Sequence, residues 1–310
     1  KSYCRIDCIL FFAQKTGYYI SNQSKIYSIS IVLLIELRLK AFDVSVLREI
    51  LSDYHLSYSN EDLLALYTFT GGVAWYVELF VKYKAFTRDK MIRLISEENS
   101  PFLNEGKNLL IEECGKDYTI YFSILECIAR GLTTRGDIES YLGKIEIGGY
   151  LARLENDFSV IRQQRPIFAK PSSKQVRYAI EDNFITFWFR FIHKYQNFIE
   201  SGSYKMLENI IRRDYDIFSG LMLERYFHAK YRESGQYTNL GRFWDRKGGN
   251  EIDLIAINEL EKTIEFVEIK RNSARINANE LKTKSAYFLQ HTGECQDYRV
   301  SYKELSLNEM

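Results

Sequence analysis

The chain has 310 residues, 46% of them hydrophobic and 27% charged, with a formal net charge of +1. Such a composition buries substantial cores and excludes disorder, and the length suggests two or three domains. A near-neutral balance excludes a globally basic nucleic-acid footprint, so any such surface has to be local.

Residues 1–40 hold two apolar stretches, CILFF and IYSISIVLLIELRLKAF, the second ending as a strand that enters a loop at Phe42. The apolar run at 29–35 falls well short of the roughly 20 residues of a membrane span, and no membrane partner is expected. No signal peptide is read, and Lys1 in first place suggests a piece of something longer. No GxxxxGK(S/T) motif occurs and no strand ends in paired acids, so neither an ATP site nor ATP hydrolysis is expected of this chain.

Helices begin at Asp43, a suitable N-cap, with Val44, Leu47, Ile50 and Leu51 at helical spacing. Ser59 or Asn60 caps a second helix, EDLLALYTFT, which stops at Gly71-Gly72, and Trp75, Leu79 and Phe80 continue on a third. A glycine-led helix start can bind phosphate, but TGGV reads better as a helix–helix turn. The segment SEENSPFLNEGKNLLIEE is a proline-marked break followed by a helix. LRLKAFDVSVLREIL followed by EDLLALYTFTGGVAWYVELF resembles the lid end of prokaryotic AAA+/STAND-type ATPases, in which a phenylalanine-bearing strand feeds a small helical bundle. The resemblance makes residues 1–40 an altered remnant of an ATPase core whose P-loop domain is missing.

From Asp117 the pattern changes to three helices and a hairpin. The first helix, YTIYFSILECIARG, carries Ile120, Ile124, Leu125 and Ile128 on its apolar side. The second, TTRGDIESYLG, opens at Thr133 or Thr134 and closes at Gly143; the third is EIGGYLARLENDF. Two strands, SVIRQQRPIF and QVRYAI, flank the turn-rich tip AKPSSK. This order reads as a winged helix-turn-helix. Between Lys144 and Ile180 seven Lys/Arg face three acids, a local excess on the third helix and wing. Arg153, Arg162, Arg165, Lys170 and Lys174 are therefore candidate DNA contacts, with protein docking as the other use of such a module.

Asp182 or Asn183 caps a connecting helix with Phe184, Phe187, Trp188, Phe191 and Ile192 on one side. An aromatic stripe can stack bases, but at helical spacing it reads as core.

The segment from Tyr237 to Arg271 reads as two strands joined by a turn, with acids where a metal ion could sit. Ile252, Leu254 and Ala256 alternate with Glu251, Asp253 and Ile255, while Phe266, Glu268 and Lys270 share a face of the next strand. Asp253, Glu268 and Lys270 are thus expected to meet. Hard oxygen ligands hold Mg²⁺ or Mn²⁺, which activates water and neutralises phosphate charge, while an ammonium steadies the nucleophile. Asp253 followed by Glu268-Ile269-Lys270 resembles the PD-(D/E)XK nuclease core, with Ile252 where the usual proline would stand. The resemblance implies Asp253 and Glu268 as metal ligands, Lys270 as the orienting cation and Glu224, on the preceding helix, as a further acid. Glu251 is a neighbour of the same parity as Asp253. Arg246 and Lys247, before the glycines, are candidate phosphate contacts. Lys282 and Lys284 lie on a following helix, and YRVSYKELSLNEM supplies a last strand.

NFITFWFRFI, FSGLMLERYF, GRFWDRKGGNEIDLIA and FVEIKRN together look like the C-terminal domain of unknown function attached to such archaeal and bacterial ATPases. The resemblance runs from about residue 36 to the C-terminus, most specifically in EIDLIA and VEIKRN. The expected architecture is multidomain, α and α/β. It comprises an ATPase-core remnant at 1–40, a helical lid-like region at 41–116, a winged helix at 117–182, a connecting helix at 183–204 and a PD-(D/E)XK nuclease-like domain at 205–310. The expected function is DNA binding with metal-dependent phosphodiester hydrolysis. The alternative is a non-catalytic DNA- or protein-docking module on an inactive nuclease fold. Five scattered cysteines (Cys4, Cys8, Cys114, Cys127, Cys295) without a CxxC pair point away from a disulfide framework or zinc site, and the expected compartment is the cytoplasm.

Overall fold

In the computed structural model, residues 41–114, 118–246 and 248–310 are described; the expectations for 1–40 and for Lys247 lie outside the described residues. Local capping chemistry sets the first helices. Helix α1 (Val44–Tyr54) buries Val44, Leu47, Ile50 and Leu51, with Asp43 at its N-cap position. Helix α2 (Asn60–Thr70) opens on a reciprocal Ser59–Asp62 capping box and closes at Gly71, whose φ is +55°. Gly72, at φ +82°, packs against the Phe42 backbone and accepts the Phe42 N–H at 2.7 Å. The TGGV step is therefore a helix–helix turn. Helix α3 (Ala74–Lys82) turns Tyr76, Val77, Leu79 and Phe80 inward and Trp75 to solvent. Helices α4 (Arg88–Ser96) and α5 (Pro101–Cys114) follow; α4 is a separate helix that the proline-marked break does not announce.

Helices α6 (Tyr118–Ala129), α7 (Arg135–Tyr141) and α8 (Gly148–Asn156) precede an antiparallel hairpin of β1 (Ile161–Gln164) and β2 (Arg177–Ile180). Thr134 Oγ1 accepts the Asp137 N–H and so starts α7. The connecting segment is three pieces rather than one helix: α9 (Asn183–Phe187), a π-helical turn (Trp188–His193) and α10 (Gln196–Glu200). Trp188, Phe189, Phe191 and Ile192 are all buried, a broader apolar arc than one face at 3.6 residues per turn provides, and the wider turn accommodates it.

Helix α11 (Tyr204–Ser234) is the longest and packs against α1, α2 and α4 on one side and the larger sheet on the other. That sheet has the order β3-β4-β5-β6, formed by β3 (Asn239–Trp244), β4 (Glu251–Asn258), β5 (Thr263–Ile269) and β6 (Arg299–Leu305). The first three strands are antiparallel; β6 lies parallel to β5 after a crossover through α12 (Ala278–Thr292). Ile252, Ile255, Ile257, Ile264 and Phe266 pack with Leu281 and Phe288 of α12. Residues 41–310 form one compact unit, so these segments share an interior.

Among the described residues, many of the aromatic side chains lie in that interior. Phe69 meets Phe187 edge-on with centroids 4.9 Å apart, Tyr76 lies 4.4 Å from Phe184, and Phe80 stacks on Phe102 at 5.0 Å. Such pairs contribute about 0.5–1.5 kcal/mol each beyond area burial. The first two tie the first helical layer to the connecting segment, and the third packs α3 on α5.

Candidate functional site

The alternation expected along β4 is interrupted. Gly241 pairs with Ile255 but Phe243 pairs with Ile252, so two steps on β3 oppose three on β4. The extra residue is a β-bulge beside Asp253, and it brings Ile252 into the same core as Ile255 and Ile257. Asp253 consequently sits where the β4–β5 ladder ends. Its Oδ2 accepts the Ile269 N–H at 2.9 Å and lies 3.0 Å from Lys270 Nζ. Lys270 Nζ is also 2.8 Å from Glu268 Oε1, so the ammonium bridges the two acids.

Both carboxylates are buried, Asp253 to 5% and Glu268 to 7% exposure, whereas the Lys270 side chain remains 36% exposed. Burial and the adjacent Asp253 charge raise the Glu268 pKa, against the pull of Lys270. Burial works against the Lys270 cation, but Asp253 and Glu268 overcome it and push its pKa up. Glu268 Oε2 is buried without a hydrogen-bond partner.

Helix α11 presents Glu224, His228 and Tyr231 to the sheet at spacings of four and three, one face of a helix. Glu224 Oε2 is 2.6 Å from Arg242 Nη2 of β3. Burial, with help from the Asp253 charge, raises the Glu224 pKa to about 7 despite Arg242. His228 donates Nε2–H to the Asp253 carbonyl at 2.8 Å, and burial lowers its pKa to about 4. Tyr231 donates to Glu265 Oε1 at 2.6 Å. Arg242 is only partly exposed; Glu224, Asp253 and Glu251 together outweigh its desolvation and raise its pKa.

The neighbouring Arg271 binds outward to the helical layer. Its guanidinium pairs with Glu61 of α2, donates to Ser219 Oγ at 2.7 Å and lies 3.2 Å from Asp216 Oδ1. The strand end bearing Lys270 is thereby fastened to both α2 and α11.

Of the residues expected at the site, Asp253, Glu268 and Lys270 come together directly, whereas Glu224 pairs with Arg242 of β3. Glu251 instead pairs with Arg177 of β2 at 2.7 Å. Among the described residues, no group of three or more His, Cys, Asp or Glu is arranged to hold a metal ion. The basic residues are dispersed. Arg153 pairs with Asp157 at 3.5 Å, Arg162 with Glu181 at 3.4 Å, and Arg165 donates to Gln163 at 2.6 Å. Lys170 and Lys174 are exposed in the β1–β2 loop, and Arg246 is exposed on the β3–β4 turn that Asp245 organises through Gly249 and Asn250.

Arg177, His228 and Arg242 had no place in the sequence-based site. The signal for His228 was there to find: Glu224, His228 and Tyr231 make a polar line at four-then-three spacing among apolar neighbours on one helix. Nothing comparable marks Arg177 or Arg242, whose partners lie on other elements.

Residues 188–283 match a family model, DUF234, described as archaeal and bacterial proteins of unknown function. That stretch includes Glu224, Asp253, Glu268 and Lys270. An uncharacterized protein of Methanocaldococcus jannaschii is 36% identical over 220 residues, which cover 68% of this chain and 48% of the relative. The chain thus spans about half the length of the curated relative it matches. No solved structure matches the chain. Among the described residues, no helix is long and apolar enough to cross a membrane.

Proposed function

We propose that this chain is a DNA-binding protein whose C-terminal α/β portion hydrolyses phosphodiester bonds as PD-(D/E)XK nucleases do. In this reading it derives from an ATP-binding protein, and these 310 residues contain no P-loop motif. The observation that carries the reading is the convergence of Asp253, Glu268 and Lys270 within 3.0 Å contacts at the end of two adjoining strands.

The donor set suits a hard divalent cation: two buried carboxylates, one of whose oxygens, Glu268 Oε2, has no hydrogen-bond partner. Asp253 and Glu268 would hold Mg²⁺ or Mn²⁺, which supplies activated water and neutralises phosphate charge. Lys270 is the cation that orients the water or a phosphate oxygen. Glu224, with a pKa of about 7, is placed to take up or release a proton near neutrality. The three helices and hairpin at 118–180 act as a winged helix that docks DNA, with Lys170 and Lys174 at its exposed tip and Arg246 on the neighbouring domain.

Calorimetric titration of Mn²⁺ and Mg²⁺ into the wild type and into Asp253→Ala/Glu268→Ala tests this reading. Binding lost in the double variant is the expected result, followed by cleavage of duplex, single-stranded or branched DNA. No binding at millimolar metal by folded protein would overturn it.

A second reading is a non-catalytic DNA- or protein-docking module. It is favoured by Lys270 already neutralising both acids and by the want of a third acid in the cluster among the described residues. Its expected result is the opposite calorimetric outcome with DNA or partner binding retained.

A further inference from the structure

The β1–β2 hairpin is fastened to the larger sheet at two points. Ile167, in the loop between its strands, donates its N–H to Arg242 O at 2.8 Å. Its side chain covers Gly241, where an added Cβ would come within 2.8 Å of Ile167 Cβ. The second point is ionic. Arg177 Nη1 donates to Glu251 Oε1 at 2.7 Å, and the same guanidinium lies 4.5 Å from the Trp244 ring centroid.

Charges then alternate inward from the hairpin. Glu251 Oε1 is 3.5 Å from Arg242 Nη2, and that nitrogen is 2.6 Å from Glu224 Oε2. One Arg242 nitrogen is thus shared, unequally, between two acids. Arg177 and Arg242 share the one oxygen Glu251 Oε1, and Arg177 holds it the more closely, at 2.7 against 3.5 Å. Remove that hold, and Glu251 is free to close its longer contact with Arg242 at the expense of Glu224. Linked ion pairs of this kind couple more strongly than isolated ones where water is largely excluded.

We propose that Arg177 is a positioning residue for the candidate site. By holding Glu251 it leaves Arg242 to hold the Glu224 carboxylate against β3, one helical turn from the His228 that binds the Asp253 carbonyl. The importance of the relay rests on reading the cluster of Asp253, Glu268 and Lys270 as a metal-dependent site, but the relay itself operates in metal-free protein.

Two substitutions that break the same Arg177–Glu251 pair have different consequences under this arrangement. Arg177→Gln frees Glu251 to compete for Arg242 and displaces Glu224. Glu251→Gln removes the competitor and leaves Glu224 where it is. The test uses the full chain labelled with ¹³C-carboxyl glutamate, without metal and at pH 9, where Glu224 is ionised and its resonance reports position rather than protonation, with that resonance assigned through Glu224→Gln. Arg177→Gln is expected to shift that resonance, while Glu251→Gln and the double variant Arg177→Gln/Glu251→Gln keep it near its wild-type position. Arg177→Lys is expected to return it most of the way. An unmoved resonance in Arg177→Gln, or equal shifts in both single variants, overturns the inference, the latter because it marks an ordinary structural contact.

Mn²⁺ calorimetry supplies the link to the site. Arg177→Gln, which acts on Glu224 rather than on a ligand, is expected to weaken binding about threefold, less than the roughly tenfold minimum for losing a ligand's own partner, with Arg177→Lys restoring it. Wild-type affinity in Arg177→Gln would overturn the positioning role. If the wild type itself binds no Mn²⁺, the metal-dependent reading fails, and the carboxyl resonances still decide whether the relay exists.

Discussion

Lys270 and Asp253, 17 residues apart, meet across the end of the β4–β5 ladder, with Nζ 3.0 Å from Oδ2. The same oxygen accepts the Ile269 N–H at 2.9 Å. One carboxylate atom therefore closes the strand pairing and neutralises the lysine. Fold and candidate chemistry share it.

That sharing separates two substitutions. Asp253→Asn keeps an oxygen that can accept the Ile269 N–H but loses the charge that faces Lys270. Asp253→Ala loses both and leaves a buried donor unsatisfied, a cost of about 1–3 kcal/mol. Urea unfolding is expected to rank stability as wild type, then Asn, then Ala. Mn²⁺ binding should be lost in both variants.

Lys270→Met removes the ammonium from between two buried acids. Breaking a buried pair costs several kcal/mol, but solvent screening at this partly exposed lysine reduces the expected loss to ~1–3 kcal/mol at pH 8. The loss should shrink at pH 5, because Glu268, with its raised pKa, takes up a proton more readily once the lysine is gone. Equal losses at both pH values would show that the two acids do not repel each other in the variant.

Glu224 and His228 give opposite pH dependences. The Glu224 pKa is raised from 4.5 to about 7, so its contribution is full below pH 4.5 and is lost as pH rises through about 7. The His228 pKa is lowered from 6.5 to about 4, so its contribution is present above pH 6.5 and is lost as pH falls through about 4. Between about pH 4.5 and 6.5 the two partly cancel. Relative to wild type, Glu224→Gln should lose less stability as pH rises from 5 to 8, by at most ~3 kcal/mol. His228→Gln should lose less as pH falls from 6.5 to 4. Urea midpoints across pH 4–8 check both signs.

The hairpin contact can be broken from either side. Gly241→Ala places a Cβ against Ile167 and is expected to destabilise by about 1–3 kcal/mol through overpacking. Ile167→Ala keeps the Cβ but removes the Cγ1 and Cδ1 that an added methyl would meet at 3.1 Å, and is expected to cost about 2–4 kcal/mol. Gly241→Ala should therefore cost somewhat less in the Ile167→Ala background than alone, the Cβ–Cβ contact persisting. Additive losses in a double-mutant cycle would show that the alanine does not meet Ile167 Cγ1 and Cδ1.

What the sequence determined by itself was local. A cap at Ser59 or Asn60, at Thr133 or Thr134 and at Asp182 or Asn183, and a stop at Gly71-Gly72, rest on contacts within a few residues and are legible in a short window; the structure chooses Ser59, Thr134, Asp182 and Gly71. The pairing of Asp253 with Glu268 and Lys270 was nearly as legible, because a short antiparallel connection leaves little choice of register. Even there, the β-bulge that seats Asp253 was invisible, since it depends on how β3 pairs across from it. Tertiary structure alone decided which acid owns which base. Glu251 has the same parity as Asp253, yet it answers to Arg177, 74 residues away, because the hairpin docks on the sheet through Ile167 and Gly241. Coulomb attraction is indifferent to sequence position. Which charges come within about 4 Å, and how much water is excluded around them, is settled only when the elements pack.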